Sequence, residues 1–414
     1  MSQTLITGDI VSRYTQEELD QNGYTVMNMG PQHPSTHGVL RLVLTMDGER
    51  VVETVPDIGF LHTGIEKTAE VKTYNQALTL TDRMDYLSPL GNNLGYSLAV
   101  EKLLGVEIPE RVSHIRVMLA ELQRIASHMV WLGTSGLDAG AMSMFLYCFQ
   151  DRERVLDLFE EIAGVRMMTS FIQPGGLMAD MTEGFLEKVK GFLDYFEPHV
   201  EMYHGLLTGN SIWLQRTQGV GVLSRKDALD WMCTGPVARA SGIDWDVRKM
   251  FPYAAYADYD FQVPVRQEGD SYARYMVRME ELDQSIRIIR QCLEKIEPSS
   301  PGKPLPYRSD DRKVVAPPKW EITCSMESLI HHFKLFTEGY APNPGEVFQR
   351  VESPRGLLSF HMVSDGSNKP YRMHARTPSF PHVQVMPLLL KGHLLADVVV
   401  ILASLDFVLG DVDR

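Results

Sequence analysis

Two histidines four residues apart raise the first chemical question. They lie in Gly30-Pro31-Gln32-His33-Pro34-Ser35-Thr36-His37-Gly38. On a helix that spacing would place both imidazoles on one face, and a metalloprotease helix adds a Glu directly after the first His. Here Pro34 takes that place, and the surrounding prolines and glycines make the segment a turn. No further zinc ligands stand at local spacing. The segment therefore predicts a loop presenting His and Ser/Thr beside a rigid element, read as a functional device ahead of a plain structural turn.

Three more segments carry polar groups at the ends of elements. In Phe60-Leu61-His62-Thr63-Gly64-Ile65-Glu66-Lys67, Thr63 with Glu66 three residues on reads as a capping box. Thr81-Asp82-Arg83-Met84-Asp85-Tyr86-Leu87-Ser88-Pro89 holds a Tyr at a junction, which taken alone is an ordinary packing residue. Gly133-Thr134-Ser135-Gly136-Leu137-Asp138-Ala139-Gly140 reads as the end of a helix, with its glycines as stop signals. The four cysteines, Cys148, Cys233, Cys292 and Cys324, form no CxxC pair, so neither a disulfide framework nor a local cluster site is expected. Gly219-Val220-Gly221 lacks the third glycine of a dinucleotide loop, and no phosphate loop or nucleophile elbow occurs.

The elements that must hold these groups follow from periodicity. Val39–Thr45 and Val51–Val55 flank Asp47-Gly48, a tight-turn signal, and with Tyr24–Met29 they predict a small antiparallel sheet. Helical patterns cover Ile65–Leu80, Gly91–Leu104, Pro109–Leu132, Gln150–Ala163, Thr182–Leu207 and Ser271–Ile296. In the third of these Val112, Ile115, Leu119, Leu122, Ile125 and Met129 make one apolar stripe, best read as core. Six prolines between Pro298 and Pro318 mark a linker. A helix over Ser325–Phe336, a hairpin of Gly356–Ser364 with Tyr371–Arg376, and a helical tail over Met386–Leu405 complete the chain.

With 414 residues, 44% of them hydrophobic, the chain can bury a large core. A net charge of −13 argues against nucleic acid as a partner. The first residues show no cationic segment followed by an apolar stretch, so no signal peptide is expected. Leu388–Leu409 is interrupted by Lys391, His393, Asp397 and Asp406, so no spanning helix is expected either.

Taken together, these segments resemble the D-type subunit of NADH:quinone oxidoreductase, the respiratory complex I. The resemblance runs through Gly30–Arg41, Leu61–Gly64 and Arg83–Tyr86, then Ala238–Lys249, Glu352–Gly356, Val363–Gly366 and Gly410–Arg414. That family is similar in turn to the large subunit of nickel-iron hydrogenases, which holds nickel with Arg-x-Cys-Gly-x-Cys and Asp-Pro-Cys-x-x-Cys. Here those motifs read Arg83-Met84-Asp85-Tyr86-Leu87-Ser88 and Asp406-Phe407-Val408-Leu409-Gly410-Asp411. Asp85, Ser88, Val408 and Asp411 stand at the four thiolate positions, so soft-metal ligation is lost.

The resemblance implies an α+β fold, mostly a hydrogenase-like helical core with small antiparallel sheets near the N-terminus and in the C-terminal part. It divides the chain into an N-terminal tail and β unit at 1–59, a helical core at 60–297, the linker at 298–320 and an α+β part at 321–414. It implies a quinone headgroup near the vacated metal position, with His37 and Tyr86 reaching its two oxygens and Asp138 pairing with His37. Reducing a quinone takes two electrons and two protons, and two opposed donors can supply both protons. A His near pKa ~6.5 becomes a better-populated acid beside Asp138, whereas Tyr near ~10 gives its proton only to a strongly basic reduced quinone.

With no redox cofactor expected in the chain, electrons would come from an iron-sulfur cluster of a partner subunit. Further partners expected are the neighbouring peripheral-arm subunit and the membrane subunit at the quinone entry, holding the chain peripherally at the cytoplasmic face of a bacterial inner membrane. A hydrogenase-like metalloenzyme and a non-catalytic assembly scaffold are the competing readings. Relatives often carry Arg at the positions of Thr63 and Gln173, which removes positive charge from this chain.

Overall fold

The computed structural model describes residues 6–7, 10–11, 14, 16–33, 38–298 and 305–414. The N-terminal sheet forms as its pattern predicts, from strands Thr25–Met29, Arg41–Asp47 and Arg50–Asp57, with Arg41–Asp47 in the middle. Asp47 pairs with Arg50, leaving Gly48-Glu49 as a two-residue turn. Gly48 has φ +58°, the left-handed conformation that such turns require. Leu42, Leu44 and Met46 of the middle strand bury against Met386, Val398, Ile401 and Leu405, so this sheet lies on the helices Met386–Leu390 and Leu395–Leu405.

The main core is helical. Its axis is Glu110–Asp138, 29 residues and roughly 43 Å long at ~1.5 Å per residue. Met142–Ala163 and Ser271–Lys295 lie alongside it. The expected stop at Gly133 does not occur, and the helix continues to Asp138. The glycines serve close packing instead: a Cβ at Gly133 would stand 3.3 Å from the Cβ of Cys148, and one at Gly136 3.0 Å from that of Met144.

Two other expected helices are broken for identifiable reasons. Ile65–Leu80 becomes Ile65–Ala69 and Tyr74–Thr81, because Thr73 and Gln76 form a capping box that starts a second helix. The helix at Ile65 begins after Gly64, and Thr63 does not cap it. Glu66, the expected partner of that cap, accepts from the Ala375 N–H at 3.0 Å and faces His374 at 3.1 Å. The tail Met386–Leu405 divides into Met386–Leu390 and Leu395–Leu405. Between them the Gly392 N–H donates to the Val51 carbonyl at 2.7 Å, holding the loop on the edge of the N-terminal sheet.

The C-terminal hairpin of Gly356–Ser364 with Arg372–Arg376 is present, and Gly345–Ser353 adds a third strand that sequence patterning missed. Ser353 pairs with Gly356, so Pro354-Arg355 form a two-residue turn. Helix Pro89–Leu104 lies across this sheet; a Cβ at Gly95 would stand 2.9 Å from Phe360 and 3.0 Å from Val351. The described part of the proline-rich stretch is tied down at Leu177, whose N–H donates to the Tyr307 carbonyl at 3.1 Å. Among the described residues no helix is long and apolar enough to cross a membrane.

Candidate functional site

The turn Asp82–Ser88 joins helix Tyr74–Thr81 to helix Pro89–Leu104, with Pro89 at the start of the second. Buried amides hold its backbone. Asn92 Nδ2 donates to the Thr81 and Asp85 carbonyls at 2.9 and 3.0 Å, and Gln123 Nε2 to the Leu87 carbonyl at 2.7 Å. Tyr86 is thereby left half-buried at the surface of the turn while Asp85 points inward.

Asp85 meets Arg355. The Arg355 guanidinium donates through Nη1 to Asp85 Oδ2 at 2.7 Å and to Ser127 Oγ at 3.1 Å, and through Nη2 to Asp406 Oδ1 at 3.1 Å. Burial opposes the charge on Arg355, but Asp406, Asp85 and Asp411 outweigh it and hold its pKa above the usual value. Burial lifts the Asp85 carboxyl, with Arg355 opposing and Asp406 adding to the rise. Arg278 approaches Asp406 from the helix Ser271–Lys295, Nε to Oδ2, at 3.9 Å.

The last motif closes directly over this turn. At Gly410 a Cβ would stand 2.5 Å from the Met84 carbonyl oxygen, 2.8 Å from that of Arg83 and 3.2 Å from Tyr86 Cδ1. Only glycine lets the two segments touch in this way. Asp411 accepts from the Ser379 N–H at 3.1 Å. Burial, then the nearby Asp85, pushes its carboxyl up to about 7, against the pull of Ser379 and Arg355. Burial also raises the Tyr86 phenol, with Arg355 opposing and Asp85 adding. Asp413 pins a third motif, accepting from the Gly59 and Leu61 N–H groups at 2.9 and 2.7 Å.

Of the expected site residues, Tyr86 stands at this junction. His37 lies outside the described residues. Its neighbour Gly38 bridges to His33 and would bring a Cβ to 3.1 Å from Leu409 Cδ1, so the base of the loop reaches the last motif. Asp138 ends the helix Glu110–Asp138. One and two turns earlier, Ser135 Oγ and Trp131 Nε1 donate to the Ala403 carbonyl at 3.5 and 2.8 Å, which ties that end to the segment leading into Asp406. At Gln173, in the short strand Ile172–Gln173, the backbone carbonyl accepts from Arg116 Nη2 at 2.8 Å, so a guanidinium of the helix Glu110–Asp138 stands beside this position.

Sequence reasoning gave no role to Arg355, Arg278 or the buried Asn92 and Gln123. Arg355 lies inside the Glu352–Gly356 segment, but a charged residue in a Pro-Arg turn reads as solvated. As a donor set for a metal the junction is poor, because Arg355 occupies the carboxylates of both Asp85 and Asp406.

A helical core whose end motifs fold onto one buried ionic junction, with a half-buried phenol at its edge, is the arrangement to be placed among known proteins. The family model described as respiratory-chain NADH dehydrogenase, 49 Kd subunit, matches residues 138–414. The chain belongs to this family. It is 56% identical over 389 residues to the second D-type NADH-quinone oxidoreductase subunit of Roseiflexus sp. (strain RS-1), covering 94% of this chain and 93% of that one. It is 51% identical to the first D-type subunit of Solibacter usitatus over 415 residues, 100% of each chain. The D-type subunit of Geotalea uraniireducens is 51% identical over 388 residues, 94% of this chain and 98% of the relative. The chain is thus a subunit of an oxidoreductase complex, and other complex I subunits are its partners.

Proposed function

We propose that this chain reduces quinone at the junction of Tyr86, Arg355 and the last motif. Tyr86 and His37 reach the two quinone oxygens, Asp138 pairs with His37, and electrons arrive from an iron-sulfur cluster in a partner subunit. Two electrons enter the quinone ring, and each oxygen takes one proton, one from the imidazolium and one from the phenol. A raised phenol pKa suits this order, because Tyr86 then releases its proton only to an oxygen made basic by reduction. The chain would hold no redox cofactor itself and sit peripherally at the cytoplasmic face of a bacterial inner membrane, beside the membrane subunit through which quinone enters.

The observation that carries the reading is the seating of Gly410 on the Arg83–Tyr86 turn, which presents a half-buried phenol above a closed ionic floor. The test is Tyr86→Phe in membranes containing the assembled complex. NADH:quinone turnover is expected to fall at least tenfold, on the order of one lost acid-base contribution. NADH oxidation by an artificial acceptor should persist. Unchanged quinone turnover would falsify the assignment.

A further inference from the structure

The two edges of the C-terminal sheet are finished differently. Along Arg372–Arg376 the helix Ile65–Ala69 closes the edge: Glu66 Oε1 takes the Ala375 N–H at 3.0 Å, and Glu70 Oε1, at the helix end, takes Arg372 Nη1 at 2.9 Å. The opposite edge is Gly345–Ser353. Next to the turn its outward groups are also taken. The Glu352 N–H donates to Tyr253 Oη at 3.0 Å, and the Glu352 carbonyl accepts from Arg124 Nη2 at 2.8 Å.

In an antiparallel strand, alternate residues turn both backbone groups to the same side. Pairing with Gly356–Ser364 runs through all nine residues without a register shift. Glu352 therefore fixes the direction for Arg350, Phe348 and Glu346, whose N–H and C=O groups point away from the sheet. The Arg350 carbonyl accepts from Gln349 Nε2 at 3.0 Å. The Arg350 N–H and both groups of Phe348 and Glu346 have no partner among the described residues. The strand has neither a proline nor a bulge to blunt it.

Side chains narrow what could pair there. Val351 packs on Gly95, so Glu346, Phe348 and Arg350 face the other side of the sheet. Phe348 is 49% exposed and Phe251 46%. Arg350 Cζ lies 4.0 Å from the Phe251 ring centroid and 5.4 Å from that of Phe348. No carboxylate of the described residues stands within 4.0 Å of this guanidinium, whereas Glu346 has His361 at 3.5 Å. Lys249, whose Nζ lies 4.0 Å from the Phe261 ring centroid, is a second cation without a carboxylate. A strand laid on this edge thus meets an apolar surface and an unmatched positive charge on one face. Residues on one face recur with period two, so an apolar residue and an acidic one two positions apart fit it.

The length of the open edge decides the kind of occupant. Glu346–Arg350 is five residues, whereas a freestanding interface takes about 20–30 residues a side. Two copies of the chain meeting edge to edge would not hold on that contact. A subunit already bound elsewhere in the same complex can add so short a strand, because its attachment raises the effective concentration. The family to which this chain belongs works in such a complex.

We propose that Glu346–Arg350 seats a strand from another complex I subunit, an extended segment carrying an acidic and an apolar residue two positions apart. It joins the three-stranded sheet as a fourth strand. Its backbone pairs with Glu346, Phe348 and Arg350, its apolar side chain lies on Phe348 and Phe251, and its carboxylate meets Arg350. The seat is independent of the quinone chemistry above.

Hydrogen–deuterium exchange of the assembled complex, read amide by amide, tests the seat without a substitution. With the strand in place, the amides from Glu346 to Arg350 should all exchange slowly. On an open edge Val347 and Gln349 stay slow, while Glu346, Phe348 and Arg350 exchange on the order of 100-fold faster; that alternation overturns the proposal. Phe348→p-benzoylphenylalanine, irradiated in the purified complex, identifies the occupant. It should attach to an extended segment of another subunit with the acidic–apolar spacing. Attachment to a second copy of this chain, to this chain itself, or to a segment without that spacing overturns the proposal. Phe348→Pro removes the outward N–H and leaves the bonds to Gly356–Ser364, so recovery of assembled complex should fall roughly tenfold, while Phe348→Thr should assemble like wild type. Should Phe348→Pro not fold, Arg350→Glu must lower recovery where Arg350→Lys preserves it. Equal recovery within either pair overturns the seat.

Discussion

Substituting Gly410 by Ala tests the junction most directly, because the obstacle is backbone. The added methyl would stand 2.5 Å from the Met84 carbonyl oxygen and 2.8 Å from that of Arg83, neither of which can rotate away. Reaching an ordinary 3.4 Å contact requires the last motif and the Arg83–Tyr86 turn to separate by about 0.9 Å. Overpacking of this size costs about 1–3 kcal/mol. A shift near 1 Å at a reacting centre costs on the order of 100-fold in rate. The expectation for the assembled complex is therefore a Tm lower by a few degrees, and quinone turnover lower by roughly 10–100-fold. NADH oxidation by an artificial acceptor should be unaffected. Quinone turnover within twofold of wild type would show that the contact at Gly410 does not set the position of Tyr86.

Other outcomes follow from the same geometry. Arg355→Met strands Asp85 and Asp406 without their shared cation, which for a broken buried ion pair costs about 3–5 kcal/mol; the measurable result is loss of assembled complex from membranes. Asp413→Asn weakens the two backbone contacts that hold Gly59 and Leu61, so the KM for a short-tailed quinone should rise more than kcat falls. Because the folded-state carboxyl of Asp411 lies at about 7, above its ordinary 3.8, the stability it contributes is complete below the ordinary value. That stability is lost as pH rises to about 7. Asp411→Asn should then melt higher than wild type at pH above 7 and equally in acid, which a thermal scan over pH reads directly.

How much was legible depends on whether the causes were local. The hairpin at Asp47-Gly48 is visible in sequence because a two-residue turn with a left-handed glycine is a local necessity. The strand Gly345–Ser353 was missed because its first half is largely exposed and shows no apolar alternation; only Val351–Ser353 is continuously buried. Gly133 and Gly136 looked like stop signals because the helix they admit, Met142–Ala163, lies further along the chain. At the site, Tyr86 and the thiolate-position residues came from resemblance to a family. Arg355 could not be foreseen from spacing, since its partners Asp85 and Asp406 are 270 and 51 residues away.

The contact of Asp413 with Leu61 spans 352 residues. At roughly 5–20 residues per second, the ribosome takes about 18–70 s to travel that distance. During that interval the loop at Leu61 and the turn at Tyr86 already exist, but the segment that seals them has not been made. The helices Glu110–Asp138 and Ser271–Lys295 can associate meanwhile, since both precede it. A chain stopped short of Leu409 would keep most of its core and the Asp85–Arg355–Asp406 contacts, but nothing would close over the Arg83–Tyr86 turn. Formation of the site therefore waits on synthesis of Leu409–Asp413, and any partner that docks only on the finished junction would recognise a chain that already carries this segment, without a separate inspection step.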